Sequence, residues 1–447
     1  MRSLQSILFF IVASVFALDM ARLVLHFDIN KTLIMSDSAG GKGMEDLVNQ
    51  IIMQNIWGYV NMEKLNKTNK TDRINLYNCW VCVSTEPTIE PPLHNETLYN
   101  LDDFVSNFVY PYPEWSIEDP NGEISPSERL EINKVARDGR TIIRKDFLNT
   151  AQGAPWKTEV DSLLNKLKAP ESVGGGFVNI LPGFFDLLLH LTNKNRDFTI
   201  IFRTFGDMHD ISLVTKEFNL FCSGLHPRYT NVPSSLELKQ LLVDPNIPNK
   251  NVGFMFLHGP SAEQVHLFTG SIERPLLLKD LMNQQEISNL EEVVNSNSVV
   301  PLEMYTGYKS IYNTVSQHAK DGRTCSYRDF YYWWNVNNER SHAGKVYVVD
   351  PSDTKTLQIF LYVIFISKDP NDLFSDDNVY MGHESPSRGI INMRDSRTGE
   401  NMRHEQFVDM LLVHVEPFDA IRDPLFFIKK VELCEKKWLE YSLVNGH

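Results

Sequence analysis

The hydrophobic pattern starts with an apolar stretch from Ile7 to Ala17 and resumes in LVLHFDINKTLI, Leu23 to Ile34. In the second stretch the apolar run Leu23 to Phe27 closes on Asp28, and Asn30, Lys31 and Thr32 follow at once. Aliphatic and aromatic residues in a run of this length predict a buried strand. A carboxylate at its carboxyl end stands where open α/β sheets bind ligands. Further on, Met44, Leu47, Ile51, Ile52 and Ile56 recur at helical spacing. Residues 61–130 are polar and carry Pro87, Pro91, Pro92, Pro111, Pro113, Pro120 and Pro126, so short helices between long loops are expected. Residues 128–170 become more helical, and PESVGGG (170–176) reads as a linker. The pattern changes at Leu181-Pro182-Gly183, which opens the apolar helix FFDLLLHLTNKN and leads into the strand FTIIFRTFG, with Thr204 and Gly206 at its end. Residues 207–224 predict a helix with Phe218, Phe221 and Cys222 inward, and 253–259 with 265–270 predict a β-hairpin. The Asn/Glu-rich residues 283–298 are expected at the surface, and TGYKSIYNTVSQHAKDGR reads as a helix. The aromatic cluster Tyr327 to Trp334 reads as packing before it reads as a ligand platform. VYVV after Lys345 and TLQIF (356–360) read as strands. The two apolar runs of the tail, from MLLVHV to KKW, are expected to be helices over one sheet face.

A chain of 447 residues, 42% hydrophobic, has room for two or three units of domain size and a buried core. Lys and Arg number 43 against 57 Asp and Glu, a net charge of −14 without any long basic block, so nucleic acid is not expected as a partner. Arg2, the apolar stretch, and Val15 and Ala17 at the −3 and −1 positions predict a secretory signal peptide over residues 1–17. The stretch is shorter than the ~20 residues of a membrane span, so no stable span is expected. Asn66, Asn69 and Asn95 head glycosylation sequons and fit a secreted glycoprotein; a cytoplasmic location follows if the apolar start is instead a first strand. The sequon at Asn30 lies inside the Asp28 motif, where a glycan is not expected.

Other chemistries lack their signatures. Cys79 and Cys82 have neither a βαβ context nor a second Cys pair, so structural thiols are expected rather than redox or zinc chemistry. Cys222, Cys325 and Cys434 read as core, and His404 and His414 as structural. Gly40-Gly41-Lys42-Gly43 lacks the spacing and the Ser/Thr of a phosphate loop. Zinc-peptidase, α/β-hydrolase and dinucleotide fingerprints are absent from the sequence.

The strand ending on Asp28, with Thr32 four residues on, resembles motif I of the haloacid dehalogenase-like (HAD) superfamily, Asp-x-Asp-x-Thr, with Asn30 in place of the second Asp. The helix and strand ending on Thr204 resemble the second motif, whose hydroxyl and nearby backbone N–H groups hydrogen-bond phosphoryl oxygens. Thr32 and Gly206 are the further substrate-binding candidates. The third motif is a Lys that neutralises the phosphoryl group; Lys345 is the candidate and Lys320 the runner-up. The fourth is an apolar strand ending in acids that hold Mg²⁺. Three pairs compete for it: Asp350 with Asp353, Asp369 with Asp372, and Asp376 with Asp377, of which the last best matches the family's form. TLQIF would run straight into Asp376 without residues 361–375, so LYVIFISKDPNDLFS is expected to be an irregular insertion, a translated intron being one origin.

The resemblance implies a doubly wound, Rossmann-like α/β core. Residues 18–36 would hold its first strand, 37–176 a cap-type insertion, and 177–447 the remainder. It implies Asp28 as the nucleophile that takes a phosphoryl group. Mg²⁺ would be held by Asp28, the Asn30 carbonyl, Asp376 and Asp377, with Thr204 and Lys345 stabilising charge. The expected activity is that of a Mg²⁺-dependent phosphatase or phosphotransferase acting on a small phosphorylated substrate. Asn30 cannot serve as the acid–base that the second Asp supplies, a loss of typically 10²–10⁴-fold, or roughly 3–5 kcal/mol of barrier. HAD branches without that Asp include pumps and dehalogenases. The alternative expectation is a catalytically impaired HAD-like binding or structural protein.

Overall fold

The computed structural model describes residues 21–36, 41–92, 97–111, 123, 126–171, 175, 176, 178–259, 261–282, 284, 286–336, 344–362, 364, 365, 375, 376, 392–402 and 407–444. The stretch 1–17 expected to be a signal peptide, the sequon at Asn95, Asp369, Asp372, Asp377 and His404 lie outside them.

The strand β1 (Arg22–Asp28) comes first. Between it and the rest of the main sheet lies a largely helical unit with a small antiparallel sheet of β2 (Trp57–Val60), β3 (Trp80–Cys82) and β4 (Tyr99–Asn100). Its main helices are Met44–Asn55, Pro126–Lys145 and Lys157–Lys166. The chain then forms β5 (Phe198–Thr204), β6 (Asn249–Leu257), β7 (Val265–Gly270), β8 (Glu303–Thr306), β9 (Cys325–Arg328), β10 (Val346–Val349) and β11 (Thr356–Tyr362). It closes with β12 (Ile364–Phe365), β13 (Ser375–Asp376), β14 (Asn392–Asp395) and β15 (Leu412–His414).

The main sheet among the described residues has the order β15-β11-β1-β5-β9-β6-β7-β8. Pairing is parallel from β15 to β6 and antiparallel for β7 and β8. This is a mixed α/β fold with a mostly parallel central sheet, compatible with a Rossmann-like architecture. β1 has neighbours on both sides and is buried on both faces, which explains its nearly continuous apolar run. Its residues alternate between two cores. Leu23, Leu25 and Phe27 pack toward the helices Pro182–Asn193 and Phe426–Val444, where the Phe27 ring meets Phe184 and Phe427 edge-on. Val24, and Ile201 of β5, join the opposite core with Ile311 and Tyr312 of helix Tyr308–Lys320.

Two assignments differ from the sequence expectation. The first apolar run of the tail forms β15, not a helix: Leu412 and Val413 are buried beside β11, and a short run apolar on both faces suits a strand of a covered parallel sheet. β10 is the expected strand, and it pairs with β14 outside the main sheet. The segment expected to be irregular from 361 begins later: Leu361 pairs with both Phe27 and Val413, and Tyr362 with His414. Among the described residues no helix is long and apolar enough to cross a membrane. All five cysteines are free thiols, four of them buried and Cys82 exposed.

Candidate functional site

β1 and β5 run parallel and in register, Asp28 opposite Arg203, so Asp28 and Thr204 emerge at the same carboxyl edge of the sheet. The chain turns sharply after Asp28: the Leu33 and Ile34 amides both donate to the Ile29 carbonyl, and Lys31 takes a positive φ of 59°. That turn faces Asn30 toward β5. Thr32 is fully buried within it.

Asp28 and Lys345 form the centre. Both are nearly inaccessible, and Lys345 Nζ donates to Asp28 Oδ1 at 2.7 Å. Lys345 precedes β10, so residues 317 positions apart meet through the fold alone. The ammonium also lies 5.0 Å from the Phe205 ring centre and 5.1 Å from that of Tyr362, distances at which aromatic faces attract a cation. Phe205 in turn stacks on Trp334 at 5.4 Å, which joins the end of the Tyr327–Trp334 cluster to the site.

A second polar knot lies beside the first. The Thr204 hydroxyl donates to Asn30 Oδ1 at 3.1 Å and accepts the Gly206 amide at 2.7 Å. Asn30 Nδ2 donates to Asp210 Oδ2 at 2.7 Å and to the Ser36 carbonyl at 3.1 Å. A Cβ on Gly206 would lie 2.9 Å from both Asn30 Oδ1 and Thr204 Oγ1, so a larger residue there would displace one of these side chains. Asp210 comes from the first turn of helix Met208–Cys222, capped by the Asp207 side chain accepting from the His209 and Asp210 amides. Asp210 is fully buried, and its Oδ1 has no hydrogen-bond partner among the described residues.

A buried ion pair sits behind this edge. The Arg203 guanidinium is bound to the Asp329 carboxylate and donates to the Val346 carbonyl at 3.2 Å, one residue past Lys345. Burial alone would lower the Arg203 pKa; the Asp329 charge more than reverses this and holds it above the ordinary value.

The expected fourth-motif acids are distributed unevenly. Asp350 and Asp353 precede β11, whose first residue Thr356 pairs with Arg22 at the amino end of β1. They therefore lie at the sheet edge opposite Asp28, where Asp353 accepts the Tyr312 hydroxyl at 2.7 Å. At the Asp28 edge, β11 ends instead on Tyr362, a buried phenol whose hydroxyl has no partner among the described residues. Burial pushes this phenol above its ordinary pKa, against the opposing charges of Arg203 and Lys345. Asp376 lies in β13 opposite Ile364, two residues beyond the end of β11. Lys320 ends helix Tyr308–Lys320, and the carbonyl of its neighbour Ala319 accepts from Thr199 near the start of β5, so Lys320 also lies at the amino edge.

The structure thus brings together Asp28, Asn30, Thr204, Gly206 and Lys345. Sequence reasoning missed Asp210, Phe205 and Tyr362. A search for an acid in the first turn of the helix after Thr204 would have raised Asp210, but nothing in the spacing ties it to Asn30.

The residues fit a magnesium ion in part. Asp28 and the Asn30 main chain offer oxygen donors of the right kind, and Mg²⁺ retains several waters. Among the described residues no group of three or more His, Cys, Asp or Glu side chains converges. The chain matches no family model, no curated protein and no solved structure.

Proposed function

We propose that this chain is a HAD-like protein that transfers phosphoryl groups through Asp28, slowly by the standard of that superfamily, with the helical unit after β1 as its cap. The observation that carries the reading is the buried contact between Lys345 Nζ and Asp28 Oδ1, 2.7 Å long, at the carboxyl edge of a central parallel strand. Three features expected from separate stretches of sequence, an Asp, a Thr and a Lys, meet at one strand end. In this reading an Asp28 oxygen bonds to phosphorus, the P–O bond to the leaving group breaks, and the leaving oxygen departs as an oxyanion with that bond's electron pair. Water then cleaves the aspartyl phosphate to return the carboxylate and inorganic phosphate. Lys345 offsets the charge of the carboxylate and of the transferring group. Thr204 and the Gly206 amide fix the Asn30 turn beside it. Asp28 and the Asn30 carbonyl would hold a Mg²⁺ ion, which would supply additional positive charge for the phosphoryl oxygens.

Asn30 sets the rate. Its carboxamide cannot protonate a leaving oxygen, so aryl phosphates and other good leaving groups are the substrates of choice. A second reading, a HAD-like domain that binds but does not turn over, is favoured by one observation: Tyr362, not a carboxylate, ends the strand beside Asp28. The experiment is Mg²⁺-dependent hydrolysis of an activated aryl phosphate by wild type and Asp28→Asn, with folding checked by circular dichroism. Activity lost in the variant supports transfer through Asp28. Equal activity in both removes Asp28 as the nucleophile and overturns the reading; no activity in the folded wild type moves the assignment to the binding protein.

A further inference from the structure

The β6–β7 hairpin lies on the far side of β9 from β1 and β5, and it carries a histidine pair. Phe256 of β6 pairs with His266 of β7, and His258 lies two residues past Phe256, so both imidazoles stand on one face at diagonal positions. Their planes are 3° apart and their Nε2 atoms share a hydrogen bond of 3.2 Å, which an ion bound between them would replace. His258 Nδ1 is 3.1 Å from the Gln284 carbonyl. A carbonyl only accepts, so this nitrogen carries the proton and Nε2 of neutral His258 presents a lone pair. That lone pair accepts from His266 Nε2–H, and His266 Nδ1 is 2.9 Å from the Thr306 hydroxyl, which can accept or donate and so tolerates transfer of the His266 proton to Nδ1.

We propose that His258 and His266 form a binding site for a borderline divalent transition-metal ion, Zn²⁺ foremost. Zinc–imidazole bonds are ~2.0–2.1 Å long. Two nitrogens 3.2 Å apart then subtend about 100° at the ion, close to a tetrahedral angle. Each ring is oriented from its other nitrogen by a carbonyl or a hydroxyl, the outer-shell arrangement that tunes metal-bound imidazoles. The pair lines a pocket of about 740 Å³ whose wall includes Glu263, Glu286, Glu291 and Glu292. These carboxylates give the pocket a field that attracts a cation, but no third His, Cys, Asp or Glu converges on the pair among the described residues, so water completes the coordination. Burial lowers the pKa of both imidazoles, and His258 adds to the effect on His266, which falls to about 4.

The test titrates chelator-stripped full-length protein with ZnCl₂ by calorimetry, in excess Mg²⁺ to occupy hard oxygen sites. It compares wild type with His266→Gln and His258→Asn. One zinc per chain is expected, with affinity weakened more than roughly tenfold in each variant. Electron paramagnetic resonance of the Cu²⁺ form is expected to report two equatorial nitrogens in wild type and fewer in each variant. Zinc affinity unchanged by both substitutions, as for an ion bound at Asp28, overturns the proposal. So does a wild-type Cu²⁺ spectrum without paired nitrogen coupling, which decides the matter even if a variant fails to fold.

Discussion

The carboxamide of Asn30 donates to the carboxylate of Asp210 over 2.7 Å, so a buried acid stands one hydrogen bond from position 30. The pair is asymmetric in a testable way. Asn30→Asp alone would place two carboxylates at contact distance in a buried site, and one would have to keep its proton. We expect it to cost ~1–3 kcal/mol in urea unfolding. The exchange Asn30→Asp with Asp210→Asn restores a donor–acceptor pair. It should recover most of that stability and raise Mg²⁺-dependent aryl-phosphate turnover by roughly 10²-fold or more. An exchange no more stable and no faster than the single variant would contradict this account of position 30.

Gly206 offers a steric test of the same knot. A methyl there would lie 2.9 Å from Asn30 Oδ1 and from Thr204 Oγ1, so one must move. Gly206→Ala is expected to destabilise the protein by ~1–3 kcal/mol, a typical overpacking cost, and to slow phosphate release. Full stability in a thermal melt would show that the turn after Asp28 yields easily.

His26, two residues before Asp28, predicts a pH dependence. Its Nε2 lies 2.8 Å from Gln358 Oε1 and its ring stacks on Phe360 at 4.2 Å. Burial, and then the Arg203 charge, lower its pKa to about 3, against a smaller opposing effect of the Gln358 hydrogen bond. The unfolded chain takes up this proton near pH 6.5 and the folded chain does not, so stability falls on acidification from about 6.5 to about 3. The slope from this group approaches ~1.4 kcal/mol per pH unit. The urea midpoint should drop less between roughly pH 7 and pH 4 in His26→Gln than in wild type. Parallel curves would remove His26 from the explanation.

The helical unit between β1 and β5 carries its own buried ion pair. Arg144 binds both oxygens of Asp102 at 2.8 and 3.0 Å, and the Gln50 and Gln54 amides add contacts of 3.2 Å. Burial alone would raise the Asp102 pKa, but the Arg144 charge and hydrogen bonds hold it below the ordinary carboxylate value. Asp102→Ala would leave a buried guanidinium unpaired, at ~3–5 kcal/mol. Loss of cooperative unfolding, or a large drop in denaturant midpoint, is the expected readout, and an unchanged midpoint would be the contrary result.

The sheet edge was legible in the sequence wherever one local pattern decided it. A buried parallel strand must be apolar on both faces, so Leu23–Phe27 and Phe198–Phe202 announce themselves, and the residues closing them, Asp28 and Thr204, inherit a place at the ligand edge. The β6–β7 hairpin and helix Tyr308–Lys320 were legible for the same reason. Lys345 was accessible only by resemblance, because nothing local links a lysine before β10 to a carboxylate on β1. Asp210 and Tyr362 were not legible. Asp210 looks like an ordinary first-turn acid until the fold turns it onto Asn30. Tyr362 belonged to a segment that read as foreign until its pairing with His414 placed it in β11. The tail run Met410–Val415 is short enough to satisfy both periodicities, and only the open edge of β11 decides for a strand.

The most direct test of the central claim is to trap the phosphoryl group. Wild-type protein is incubated with an aryl phosphate and Mg²⁺, quenched in acid, and digested for mass spectrometry of the peptide carrying Asp28. An added phosphoryl mass on Asp28 is expected, labile to hydroxylamine, reduced in Lys345→Met and absent in Asp28→Asn. Aryl-phosphate hydrolysis that proceeds without any label on Asp28, or that survives Asp28→Asn in a folded protein, would contradict it.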